Sequence, residues 1–282
     1  QLQLTNAPAE IPLRRPRRPR TTPPLGAVDC HAHVFGPAGR YPLIDSAPYI
    51  PPALPARRYL NMLNRIGISR GVLVQPVVYG TNCGALLKTL KSHPERLRGV
   101  ALLSPDVSDA QLMKMDRCGV RGARFSQPPS EYSAGAVGFD VLAALASKLV
   151  GLGWHAQIWA PCAELEPIVT RFAPMGLQLV VDHMGGIDAQ RGVKDPNFQT
   201  LLRLLSNPQY NLWVKLIPYR VSQRYPDYED VAPFHRALVA ANPDRVLWGS
   251  DWPHVHMQRD IPDEGDEVQL AQIEQEPLPT LD

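Results

Sequence analysis

No CxxC pair, no glycine-rich phosphate loop and no apolar run long enough to span a bilayer occur in these 282 residues. Each absence excludes something. The four cysteines, Cys30, Cys83, Cys118 and Cys162, lie too far apart for a zinc knuckle and outline no disulfide framework. That spacing fits a reducing, cytoplasmic setting. No transmembrane helix is expected, nor does the chain show a signal-peptide pattern. Charge of neither sign dominates. The net charge is +2, but residues 1–24 carry five arginines against one glutamate, so the rest of the chain is slightly acidic. A basic body that tracks nucleic acid is missing. The arginine-rich arm reads as solvated or surface-hugging, without a nucleic-acid or membrane partner.

What is present is a regular alternation. Six prolines in residues 1–24 block helix and sheet, so this stretch is expected as an extended arm, with one domain over 25–282. From Gly26 onward, short apolar runs alternate with helical patterns. Strands are expected at 28–33, 71–75, 98–103, 120–125, 154–159, 178–183, 212–217 and 245–251. Helices are expected at 53–66, 84–92, 107–117, 139–151, 163–172, 196–205 and 228–241. Such alternation favours a parallel sheet with helices outside, and eight strands suggest a (β/α)8 TIM-type barrel. A doubly wound open sheet would want a glycine-rich loop after the first strand. Here that strand ends in histidines.

The first strand carries Asp29-Cys30-His31-Ala32-His33. Residues two apart on a strand share a face, so His31 and His33 project together. Two adjacent imidazoles are either metal ligands or hydrogen-bonding groups aimed at one substrate atom. Cys30 faces the other way and reads as packing. In a barrel, chemistry collects at the carboxyl ends of the strands. Those ends hold Gln75, Arg124, Gln157 and Trp159, then Asp182-His183-Met184-Gly185-Gly186, then Trp248-Gly249-Ser250-Asp251-Trp252-Pro253-His254. His31, His33, His183 and Asp251 therefore converge on one rim. A carboxylate among imidazoles stays ionised and can accept a proton, fixed N–H donors suit developing negative charge, and arginine's planar fork matches a carboxylate.

The HxH pair, Asp-His-Met-Gly-Gly on strand six and Trp-Gly-Ser-Asp-Trp-Pro-His on strand eight resemble the amidohydrolase superfamily. Gly26-Ala27-Val28-Asp29, His33-Val34-Phe35-Gly36-Pro37 and Gly122-Ala123-Arg124-Phe125 narrow the resemblance to its 2-pyrone-4,6-dicarboxylate lactonase branch, over residues 22–262. The resemblance implies hydrolysis of a small anionic lactone, in aromatic-compound catabolism, without a required metal. It implies Asp251 as general base and His31, His33 and His183 as hydrogen-bond donors to the lactone carbonyl. Arg124 and Arg220 would grip anionic substituents, and Tyr49 would add a hydrogen bond. Gln75 and Trp159 are counted with these substrate-binding residues.

Three positions depart from the branch. Val77 replaces a serine, Ser130 an arginine and Trp159 a tyrosine. All are substrate contacts, so a lactone with one acidic group, or with an apolar or sulfonated edge on Trp159, is expected over the dicarboxylated pyrone. Zinc is an alternative occupant, since His31, His33, His183 and Asp251 are suitable ligands. Against it, strand four offers Arg124 where binuclear relatives carry a bridging group, and a cation there repels a metal. The competing readings are a zinc-dependent decarboxylase of an aromatic or muconate-like acid and a non-catalytic anion-binding barrel. The last barrel helix is not obvious: residues 267–276 offer only a thin apolar stripe. The expectation is a shortened chain or closure by a partner subunit, which allows a homo-oligomer. Trp154, Trp213 and Trp248 are expected as packing, His93, His235 and His256 as surface, His254 as an orienter of Asp251, and Tyr219, Tyr225 and Tyr228 as a loop around Arg220.

Overall fold

Strand and helix alternate from Val28 to Trp248 in a computed structural model that describes residues 18–126, 134–224 and 227–255. The strands are β1 (Val28–Ala32), β2 (Arg70–Val74), β3 (Leu97–Ala101), β4 (Val120–Ser126), β5 (His155–Trp159), β6 (Leu179–Val181), β7 (Leu212–Leu216) and β8 (Val246–Trp248). They pair in parallel in chain order, β1 to β8. Ring closure runs through the residues after β8: Asp251 N donates to His31 O at 2.9 Å, and His33 N donates to Trp252 O at 2.8 Å. The result is the (β/α)8 barrel that the alternation implies.

Seven α-helices cover the strands among the described residues: α1 (Ala56–Ile66), α2 (Gly84–Ser92), α3 (Asp109–Arg117), α4 (Phe139–Leu152), α5 (Cys162–Phe172), α6 (Pro196–Ser206) and α7 (Ala232–Ala241). Their ends follow from local chemistry. Ser108 and Gln111 form a capping box on α3, and Asp195 caps α6 with Pro196 in its first turn. Gly67 and Gly153 close α1 and α4 in the left-handed region. In α4, Leu142, Leu145, Ala146 and Leu149 form one buried stripe at helical spacing. Each leucine so buried contributes about 1.5–3 kcal/mol. No helix among the described residues is long and apolar enough to cross a membrane.

One buried carboxylate ties the closure together. Asp29 Oδ1 accepts from the backbone N–H of His31 at 3.2 Å and of Ser250 at 2.8 Å. Its Oδ2 accepts from the hydroxyls of Tyr59 at 3.0 Å and Ser250 at 2.6 Å. Burial raises the Asp29 carboxyl above its ordinary value, and the hydrogen bonds from Ser250, His31 and Tyr59 oppose that rise. Tyr59 reaches this point by lying over Gly71, where any side chain would collide with its phenol.

Several expectations change. Strands six and eight stop two and three residues earlier than expected, at Val181 and Trp248, because the chain turns into left-handed backbone around His183 and Asp251. The expected helix 228–241 divides into a 3-10 turn, Glu229–Val231, and α7. Trp154 is a core residue, but Trp248 is 44 % exposed and so is not the packing residue expected. The helix due to follow β8 lies outside the described residues. So do the expected 267–276 helix, Ser130, Tyr225, His256 and residues 1–17 of the arm; residues 18–24 carry no helix or strand.

Candidate active site

The carboxyl ends of β1, β4, β5, β6, β7 and β8 converge on a buried polar cluster. From β1 come His31 and His33, with Nε2 atoms 3.3 Å apart. Asp251 Oδ1 lies 3.6 Å from His31 Nε2 and 3.4 Å from His33 Nε2. His183 completes the group, its ring centroid 5.0 Å from that of His31. All four side chains are buried. These four residues, from three separated motifs, therefore lie together.

Getting these groups together requires unusual backbone. His183 (φ 44°), Met184 (φ 54°), Asp251 (φ 55°) and His254 (φ 61°) adopt positive φ. Each costs on the order of 1–2 kcal/mol for a residue with a Cβ. Such strain concentrates where function needs a particular side-chain direction. Gly249 serves the same end, since a Cβ there would stand 2.9 Å from His31 Cβ.

Asp182 organises a second layer. Its Oδ2 accepts from Arg124 Nε at 2.9 Å and from Gln157 Nε2 at 2.8 Å. Its Oδ1 forms an ion pair with Lys215 Nζ and lies beside His31 Nδ1, each at 3.3 Å. Lys215 Nζ also donates to Gln157 Oε1 at 2.7 Å and to His31 Nδ1 at 3.2 Å. Lys215, Asp182 and Gln157 were not singled out as site residues by the sequence reading. For Lys215 a signal existed: a charged side chain inside the apolar run Leu-Trp-Val-Lys-Leu-Ile has to find partners in the interior.

Burial opposes charge on both carboxylates, but the cations beside them win. Arg220 Nε, 3.1 Å from Asp251 Oδ2, holds that carboxyl well below the usual range. Lys215 and Arg124 do the same for Asp182. Burial depresses the histidines instead. His31 falls well below its ordinary value, helped by Lys215, and His183 is pushed down to about 3. Both imidazoles are neutral near pH 7. Asp251 Oδ1, Asp182 Oδ1 and His183 Nδ1 are buried with no hydrogen-bond partner among the described residues. Buried groups of that kind are rare and concentrate at sites that meet a ligand.

The expected substrate-side residues divide. Trp159 packs edge-on against His183, centroids 4.6 Å apart. Tyr49 sits beside Phe35 and shares electrostatic contact with Arg220, Asp251 and Arg124; burial raises its phenol. Arg124 and Arg220 reach the cluster, each with its Nε on a carboxylate of the protein itself. Gln75 also holds a loop. Its amide donates to Gly80 O at 3.1 Å and Asn82 O at 2.9 Å, so both of its N–H groups hold the following loop. His254 does not touch the Asp251 carboxylate. It orients that residue's turn instead, through an Nε2 bond to Ser250 O at 2.7 Å and a backbone bond to Asp251 O at 2.9 Å. Tyr219 packs at a tilt against His254 and lies under the Arg220 guanidinium.

A family model described as amidohydrolase matches residues 28–280. The chain belongs to the amidohydrolase family. This amidohydrolase is 35 % identical over 262 residues to a 2-pyrone-4,6-dicarboxylate hydrolase of Comamonas testosteroni, covering 89 % of the chain and 84 % of the relative. It is 34 % identical over 272 residues to a 4-sulfomuconolactone hydrolase of Rhizobium radiobacter, covering 93 % and 90 %. A crystal structure of a candidate 2-pyrone-4,6-dicarboxylic acid hydrolase from Pseudomonas putida superposes with a TM-score of 0.69 at 33 % identity, over 89 % of this chain and 91 % of that one. His31, His183 and Asp251 of this amidohydrolase also present ligand atoms within 4.8 Å of one another, so the cluster is compact enough to hold a metal ion.

Proposed function

We propose that the protein hydrolyses a small anionic lactone, with Asp251 as the general base. The observation that carries this reading is Asp251 Oδ1. It is buried, ionised, without a hydrogen-bond partner among the described residues, and faces two imidazoles. A carboxylate so placed can take a proton from water. The water oxygen then bonds to the lactone carbonyl carbon. Collapse of the adduct breaks the ring C–O bond, and the proton held by Asp251 goes to the departing oxygen.

The histidines take different parts. His33 Nδ1 faces Val74 O at 2.9 Å, so Nδ1 is the donor, and in the neutral ring Nε2 is an acceptor. His33 is thereby suited to receive a hydrogen from His31 or from water. Among the β1 pair, His31 Nε2–H is the donor suited to the carbonyl oxygen and the oxyanion. His183, neutral and pinned by Trp159, presents a polar edge to the same space.

On zinc, spacing and hydrogen bonding point in opposite directions. The triangle of His31 Nε2, His33 Nε2 and Asp251 Oδ1 has sides of 3.3, 3.6 and 3.4 Å. Neighbouring ligands of a tetrahedral zinc stand about 3.3–3.6 Å apart. Lys215, however, donates to His31 Nδ1, which places the ring proton on Nε2, where a metal would need the lone pair. The residues as bonded therefore do not fit the ion.

The names of the relatives and two departures in sequence support the substrate class. Both named activities open lactones bearing acidic groups. Val77 and Trp159 bring apolar surface to positions where the resemblance implies hydroxyl groups. A lactone with a single carboxylate or sulfonate beside Trp159 suits those residues best. The arm and barrel are read as 1–24 and 25–282, and the four free cysteines support a reducing, cytoplasmic setting. Acid release from a lactone panel tests the function. Asp251→Asn should lower turnover about 10²–10⁴-fold. Carbon dioxide release without a ring-opened acid, or an unaffected variant, contradicts the reading.

A further inference from the structure

Lys215 is 2 % exposed and lies at the end of β7, behind the cluster rather than in it. Burying an ammonium is costly unless its hydrogens are all used. Here Nζ has three partners: Gln157 Oε1 at 2.7 Å, His31 Nδ1 at 3.2 Å and Asp182 Oδ1 at 3.3 Å. An ammonium only donates, so His31 Nδ1 accepts and its proton sits on Nε2. That proton points to His33 Nε2, 3.3 Å away, and His33 in turn donates from Nδ1 to Val74 O at 2.9 Å. Lys215, His31, His33 and Val74 thus form one directional chain, in which every ring nitrogen has a defined role.

We propose that Lys215 is a positioning residue that locks His31 in the Nε2–H tautomer, making this pocket a hydrogen-bond donor site and closing it to divalent metal. The alternative tautomer is within reach. Asp182 Oδ1 stands 3.3 Å from His31 Nδ1 and is otherwise engaged through its ion pair with Lys215. Without Lys215, His31 Nδ1–H turns to that carboxylate. Its Nε2 lone pair then joins His33 Nε2 and Asp251 Oδ1, the triangle whose spacing already matches a zinc shell. Gln157 and Arg124 remain on Asp182 Oδ2, so the carboxylate keeps partners after the change. The value of the donor tautomer to catalysis rests on the lactone-opening reading; the tautomer itself does not.

Two measurements test this. Ring-nitrogen NMR of the wild-type chain, with His31 assigned by substitution, should show a protonated Nε2 and a bare Nδ1. Calorimetric titration with zinc should give Lys215→Met at least tenfold tighter binding than wild type. A wild-type His31 protonated on Nδ1, or equal zinc affinity in the two proteins, overturns the proposal. If the variant fails to fold, the wild-type spectrum decides alone. A correct tautomer in a protein that opens no lactone overturns only the reading of function.

Discussion

Arg220 and burial act on Asp251 in opposite directions. With Arg220 Nε 3.1 Å from Oδ2, the carboxyl is held well below the usual carboxylate range. Its activity should therefore show no acid limb between pH 5 and 8. Arg220→Met removes the cation and leaves burial to dominate, so the limb in kcat/KM should climb into the pH 5–7 window. A pH–rate profile checks this. A variant with lower activity but an unmoved profile would assign Arg220 to substrate contact alone. At this scale the sequence was readable where spacing itself carries chemistry. The HxH pair shares a strand face, and Asp251 and His183 sit in compact polar motifs. Asp182, Gln157 and Lys215 were harder, because each acts through another side chain and their contacts span up to 184 positions. Gln75 was only partly legible, because its place at a strand end does not reveal that its amide N–H groups hold the following loop while Oε1 has no hydrogen-bond partner among the described residues.

The strand ends are where local propensity yields to the site. β6 and β8 are three-residue strands that break into left-handed backbone at His183 and Asp251. Periodicity continued both strands through these residues, because alternation carries no mark for a residue held at positive φ. The helices were more legible, since their caps are written locally: Asp195-Pro196 opens α6, and Gly67 and Gly153 close α1 and α4. Close approach of β1 and the segment after β8 depends on Gly249. A methyl group there meets His31 Cβ at 2.9 Å and His31 N at 3.1 Å. Gly249→Ala should cost about 1–3 kcal/mol of stability and displace His31. Lactone turnover should fall at least tenfold in a protein that still unfolds cooperatively. Unchanged turnover would mean that β1 tolerates the shift.

Across the molecule, a cluster of buried neutral histidines makes stability depend on pH. His183 is 2 % exposed and titrates at about 3 in the fold, against 6.5 when unperturbed. Its folded value is depressed, so unfolding takes up a proton below pH 6.5. The contribution is full above that pH and is lost as pH falls towards 3. By pH 5 the loss from this residue is about 2 kcal/mol. His183→Asn, which suits the left-handed backbone, should flatten urea-unfolding stability between pH 7 and 5 by about that amount. Parallel curves for the two proteins would contradict it. The barrel itself was legible because alternation and strand count leave few topologies, whereas its closure through Asp29, Tyr59 and Ser250 joins residues 221 positions apart. The most direct measurement is acid release from 4-sulfomuconolactone and from 2-pyrone-4,6-dicarboxylate by chelator-treated, zinc-free protein. The account predicts ring opening without added metal, faster for the sulfonated lactone. Acid release from neither, or only after zinc is restored, would contradict it.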